Sequence, residues 1–173
     1  LFYDNIMNTN PREILIQVAL EYEGVSEIGG DNEGQQIEEF QRAVNGVASK
    51  EPWCMCFVQF CILKAVKLSG RLSRIYKSES VIETWMKSPR LMRRTEPEPG
   101  FIVMWQVGTK PIGHCGIVLS TLKEDQTFQT IEGNTGVGPQ IERNGDGVYE
   151  KNRNRYPKGG SMSLLGFLDP FGG

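Results

Sequence analysis

The stretch EPWCMCFVQFC, residues 51–61, places three of the chain's four cysteines directly behind a proline and a tryptophan. Its continuation to Leu68 is the most apolar helix candidate in the sequence, with Pro52 suited to the first helical position and Ser69-Gly70 closing it. A helix of this composition is expected to be buried, so the rest of the chain has to supply the surface on which it lies.

Before this helix, NPREILIQVALEYEG (10–24) repeats Ile14, Leu15, Val18, Ala19 and Tyr22 at helical spacing. Asn10 is its cap, Pro11 its first turn, Gly24 its stop, and Glu13 the reciprocal half of a capping box. SEIGGDNEGQQIEEFQRAVNG (26–46) begins as a Gly-rich polar loop and continues as a short helix carrying Ile37, Phe40 and Val44. SESVIETWMK (78–87) adds another, with Ser80 and Glu83 spaced as a capping box. After TEPEPG (95–100) the composition changes. FIVMW, HCGIVLS, QTFQTIEG, GVYEKNR and SLLGFLD are short β-branched and aromatic segments separated by Gly, Asn, Asp and Pro, and they read as antiparallel strands. Helices grouped before strands predict an α+β fold with the buried helix packed on one face of the sheet. RNRYPKGGS (153–161) reads as a flexible surface loop.

With 173 residues, 39% of them hydrophobic, the chain suits one domain, set at 11–173 behind an N-terminal extension of residues 1–10. A net charge of −2, with no basic block interleaved with aromatics, argues against nucleic acid as a partner. The longest apolar runs, such as Ile117-Val118-Leu119, fall far short of the roughly 20 residues of a membrane span. The chain begins at Leu1, and Leu1–Asn10 does not read as a signal peptide, so the export route stays open.

On a helix, Cys54 and Cys56 point about 200° apart, and Cys54 and Cys61 are separated by roughly 10 Å of rise, beyond disulfide reach. Cys-x-Cys on a helix diverges, and the chain has one histidine, so a zinc site is not expected. Nor does GGDNEG (29–34), with Asp31, Asn32 and Glu33, have the regular pattern of a calcium loop; it reads as a polar turn. Cys54 differs from its neighbours because it lies in the first turn, where free N–H groups and the helix dipole favour a thiolate. Position alone leaves two readings for it, nucleophile and packing residue. Cys56 and Cys61, deeper in the helix, read as small inert hydrophobes.

A thiolate enzyme needs an imidazole, and His114 is the only one. It opens HCGIVLS after the turn KPIG, so His114 and Cys115 project to opposite faces; if His114 faces the buried helix, Cys115 does not. An acceptor for the imidazole is available in QTFQTIEGNTG (126–136), where Glu132 and Asn134 lie two residues apart and are expected on one face. A strand-end histidine and a solvated strand-end glutamate are the alternative readings of these residues.

PWCMCFVQF, GHCGIVL, TIEGNTG, GDGVYEKNR and LLGFLDP, in that order, resemble the cysteine, histidine-dependent amidohydrolase/peptidase (CHAP) family of the papain-like superfamily of bacterial and phage cell-wall hydrolases. The similarity runs from about Pro11 to Pro170. It implies a papain-like α+β fold with the cysteine at the start of a helix packed on an antiparallel sheet. It also implies Cys54 as nucleophile, His114 as base, Glu132 as third member and Asn134 as a fourth polar position; no cofactor is expected, and no metal on the spacing argued above. The implied activity is hydrolysis of a peptidoglycan amide bond, as amidase or endopeptidase, with a stem peptide as substrate and a monomer as the expected state. The implied place of action is the bacterial cell wall, reached as a phage lysin, an exported enzyme or a delivered effector. Alternatives are a cysteine peptidase or amidase acting on another protein or peptide, and a catalytically silent module that binds wall peptides. Two departures from the family pattern are PGF at Pro99–Phe101, where many relatives have Pro-Gly-Asp, and the additional thiols Cys56 and Cys115.

Overall fold

The computed structural model describes residues 10–139, 145–156 and 162–172. Residues 1–9 of the expected 1–10 extension and the 157–161 part of the expected surface loop lie outside the described residues. Four α-helices precede the main strands: α1 (Pro11–Leu20), α2 (Gln35–Asn45), α3 (Cys54–Ser69) and α4 (Val81–Lys87). A short 3₁₀ turn (Arg90–Met92) leads into β1 (Arg93–Arg94), then β2 (Ile102–Val107), β3 (Gly113–Val118), β4 (Thr127–Thr135), β5 (Gly147–Asn154) and β6 (Met162–Leu168). They form one antiparallel sheet in the order β1-β6-β2-β3-β4-β5.

The helix boundaries follow from capping. Asn10 Oδ1 accepts the Arg12 backbone N–H at 3.0 Å, and Pro11 occupies the next position, where a missing N–H costs nothing. Ser80 Oγ accepts the Glu83 N–H at 3.2 Å, while the Glu83 carboxylate accepts from Ser78 Oγ at 2.5 Å and Lys87 Nζ at 2.6 Å. Of the expected capping box, the bond from Glu83 N–H to Ser80 forms, while the Ser80 N–H donates to Ser78 Oγ at 3.1 Å. Helix α3 starts two residues later than Pro52 suggested, with Trp53 at its cap and Cys54 as its first residue. Gly70 closes it at φ 68°, a left-handed conformation that favours glycine.

One face of the sheet carries Met104, Cys115, Ile117, Ile131 and Leu168 against Phe57, Val58, Cys61 and Ile62 of α3, and α1 and α2 complete this core through Leu15, Val18, Ile37 and Phe40. The sequence reading anticipated this side alone. The other face also holds a buried cluster, of Phe101, Val103, Trp105, Val118, Phe128 and Phe167. It is buried because the sheet curls on itself. Phe128 of β4 and Phe167 of β6 are separated by two intervening strands, β2 and β3, in the sheet order, yet their rings meet edge to face at 5.6 Å. Arg155, just past the edge strand β5, reaches Glu96 at 2.7 Å, just past the opposite edge strand β1. In a flat sheet those edges would lie on the order of 24 Å apart, at about 4.8 Å per strand.

Candidate active site

The register of β3 and β4 opens the site. These strands pair at Ile117–Ile131 and Val118–Thr130, and towards His114 and Gly133 they part. There the first turn of α3 comes against β4 so closely that a Cβ on Gly133 would sit 2.8 Å from Phe57 Cβ and from Trp53 Cζ3. Trp53 is fixed by stacking on Phe40 (5.6 Å between centroids) and by donating its indole N–H to Glu27 Oε1 at 2.8 Å. Cys54 follows as the first helical residue and is almost wholly buried. The first intrahelical bond runs from Phe57 N–H to Trp53 O, so the N–H groups just before it remain for other acceptors.

His114 lies opposite Trp105 in the β2–β3 register and stacks on its indole at 5.9 Å. Strand alternation then turns Cys115 to the α3 side, where its thiol lies 3.7 Å from Met55 Sδ. The two neighbours do face opposite sides, but the side against the body of the helix belongs to Cys115. Both still interact with Cys54, because Cys54 sits at the helix end beside the start of β3.

Imidazole Nε2 of His114 pairs with Glu132 Oε2 at 2.8 Å. Its other ring nitrogen, Nδ1, is buried without a well-formed hydrogen bond and is the atom left for the Cys54 thiol. Glu132 reaches the ring across Gly116, where a Cβ would stand 2.4 Å from Glu132 Cγ. Its carboxylate is fully buried and also accepts from Thr130 Oγ1 (2.6 Å) and Arg153 Nε (2.7 Å). Between Glu132 and Thr135 the strand bulges, and Asn134 takes φ 53°. The alternation behind a shared face for Glu132 and Asn134 is broken there. Asn134 Nδ2 donates to Asn32 Oδ1 at 3.0 Å, which ties the strand end to the 29–34 loop.

The electrostatics follow from these contacts. The Cys54 thiol is held well below its ordinary value, first by a hydrogen bond from the Cys115 thiol, against burial, and further by His114 and the Met55 N–H. Burial pushes His114 down, but hydrogen bonds to Cys54 and Glu132 and their charges bring it up to about 9. Burial likewise raises Glu132, and Arg153 and His114 outweigh it, leaving the carboxyl at about 2. These directions favour a thiolate–imidazolium–carboxylate arrangement at neutral pH. Cys56 and Cys61 are pushed the other way, mainly by burial, as expected of inert core thiols.

A cavity of about 200 Å³ contains Cys54, with Glu51 and Pro52 on one side and Glu79, Val81 and the 111–113 turn on the other. Larger hollows of about 610 and 520 Å³ lie by Arg155 and by Gln35, and their walls include neither cysteine nor histidine. Among the described residues, no group of three or more His, Cys, Asp or Glu side chains could hold a metal, and no helix is long and apolar enough to cross a membrane.

The family model of the CHAP domain matches residues 46–134, more than half of the chain, from just before α3 through Cys54, His114 and Glu132. The chain belongs to the CHAP domain family. CHAP domains are cysteine- and histidine-dependent amidohydrolases or peptidases, generally cell-wall hydrolases, and that class is indicated here. No curated protein matches the chain. The CHAP match ends before Arg153, which sequence reasoning missed, as it did Thr130 beneath Glu132 and Trp105 beneath His114. From Glu150 to Asn154 β5 is polar on both faces, so alternation alone did not say that Lys151 and Arg153 point inward while Glu150 and Asn152 point out.

Proposed function

We propose that this CHAP domain hydrolyses an amide bond of bacterial peptidoglycan through an acyl-thioenzyme. Cys54 thiolate attacks the carbonyl carbon, and N–H groups at the start of α3 stabilise the oxyanion. The C–N bond breaks as His114 gives its proton to the departing amine. His114 then takes a proton from water, the resulting hydroxide attacks the thioester, and Cys54 leaves as thiolate. Glu132 orients the ring and stabilises the imidazolium. Asn134, tied to Asn32, holds the strand end beside the cleft as the fourth polar position.

The observation that supports this reading best is the meeting of Cys54, at the first position of an apolar helix, with a buried His114–Glu132 pair. The cavity at Cys54, about 200 Å³, is smaller than the ~300–1,000 Å³ typical of enclosed small-molecule sites. That size suits a polymer laid across Cys54 with one side chain inserted. The test is to incubate purified peptidoglycan with wild type and with Cys54→Ala and to identify released fragments by mass spectrometry. Fragments from the wild type alone support the proposal, and their masses name the bond.

A further inference from the structure

Glu132 carries more hydrogen bonds than the orientation of one imidazole requires. Arg153 engages it twice, Nε to Oε1 at 2.7 Å and Nη2 to Oε2 at 2.5 Å, and Thr130 Oγ1 adds a third contact at 2.6 Å. The arginine comes from β5, opposite Phe128 of β4, and reaches along β4 past Thr130. It is 2% exposed, and its Nη1 donates to Pro139 O at 2.8 Å, so the fork is held from behind. Its guanidinium lies 5.9 Å from the Trp105 ring centroid, and Trp105 is the indole on which His114 stacks. Arginine and tryptophan together form a backing for the whole His114–Glu132 pair.

We propose that Arg153 is a positioning residue of this site: its fork fixes the Glu132 rotamer that meets His114, and its charge balances the carboxylate so that the imidazolium proton stays transferable. The inference rests on the hydrolase reading for its effect on turnover, but its effect on His114 is independent of any substrate. A planar bidentate fork can set both carboxylate oxygens at once, which a lysine ammonium cannot. With Cys54 as thiolate and His114 as imidazolium, the buried set Cys54, His114, Glu132 and Arg153 is neutral. Without Arg153 it carries one uncompensated negative charge, and His114 holds its proton more tightly. Among the described residues, the other titratable groups nearby are the Cys115 thiol on its own strand, which bonds Cys54, and Lys151 on β5, which donates to the carbonyls of Gly136 and Gly138.

His114 is the only histidine, so its imidazole can be titrated in the intact chain by nitrogen NMR without ambiguity. In Arg153→Gln the His114 midpoint is expected to rise by about 1 unit or more, and kcat to fall at least about tenfold with KM within about twofold. Arg153→Lys is expected to bring the midpoint back to within about half a unit of wild type while kcat stays at least about fivefold down, because charge returns and the fork does not. Wild-type midpoint and kcat in a folded Arg153→Gln would overturn the inference, as would a raised KM with unchanged kcat, which marks a substrate contact. If Arg153→Gln does not fold, Arg153→Lys decides: lowered kcat at unchanged Tm supports the inference, and wild-type kcat overturns it. If the wild type releases nothing from peptidoglycan, the hydrolase reading fails, while the NMR midpoints still decide whether Arg153 governs His114.

Discussion

Gly116→Ala adds one methyl group to β3 and removes none of the groups that would do chemistry. Gly116 is in a regular strand and is not among the residues with positive φ, so alanine meets no backbone strain there. The added Cβ would lie 2.4 Å from Glu132 Cγ, 3.1 Å from Ile131 O and 3.4 Å from Glu132 Cδ. Carbon atoms rest at about 3.5–4.0 Å, so Glu132 Cγ has to give way by about 1 Å. The bond from Glu132 to His114 is 2.8 Å, and a shift of that size either breaks it or pulls the carboxylate from Arg153. Overpacking of this kind costs about 1–3 kcal/mol of stability. Misplacement of a catalytic group by about 1 Å is expected to cost about 100-fold in kcat. Steady-state kinetics on a soluble wall peptide, together with thermal unfolding, measures both effects. A folded Gly116→Ala with wild-type kcat would refute the argument that Gly116 exists to let Glu132 cross β3.

Two further outcomes follow from the charges at the site. Because His114 is raised to about 9 and Cys54 is lowered, the ion pair persists through neutral pH; kcat/KM is expected to hold to about pH 9 and to fall above it as the imidazolium loses its proton, and a profile that already falls at pH 7 would contradict the pairing. Cys115→Ala removes the hydrogen bond that lowers Cys54 most, so iodoacetamide labelling of Cys54 at pH 6 should slow by up to about tenfold for each unit that its pKa rises above 6, whereas Cys56→Ala should leave the rate unchanged.

The helix-before-strand order and the apolar run behind Cys54 made the α+β class legible, because both are periodic local signals. The curl of the sheet was not, since Phe128 and Phe167 meet through geometry accumulated over several strands. Of the candidate residues, Cys54, His114 and Glu132 come together, and each had a local signature: a helix start, a unique histidine and a strand-end carboxylate. The bulge that sends Asn134 to Asn32 depends on a local φ of 53°, which alternation does not anticipate. Arg153 stayed hidden because the second half of β5 is polar on both faces, and only its partner on the neighbouring strand shows which face is inside.

The most direct test of the central claim is the digestion of purified peptidoglycan by wild type and by Cys54→Ala, read by mass spectrometry. The account predicts fragments with a newly hydrolysed amide from the wild type and none from the variant. Equal release by both proteins, or none from walls of several chemotypes, would contradict it.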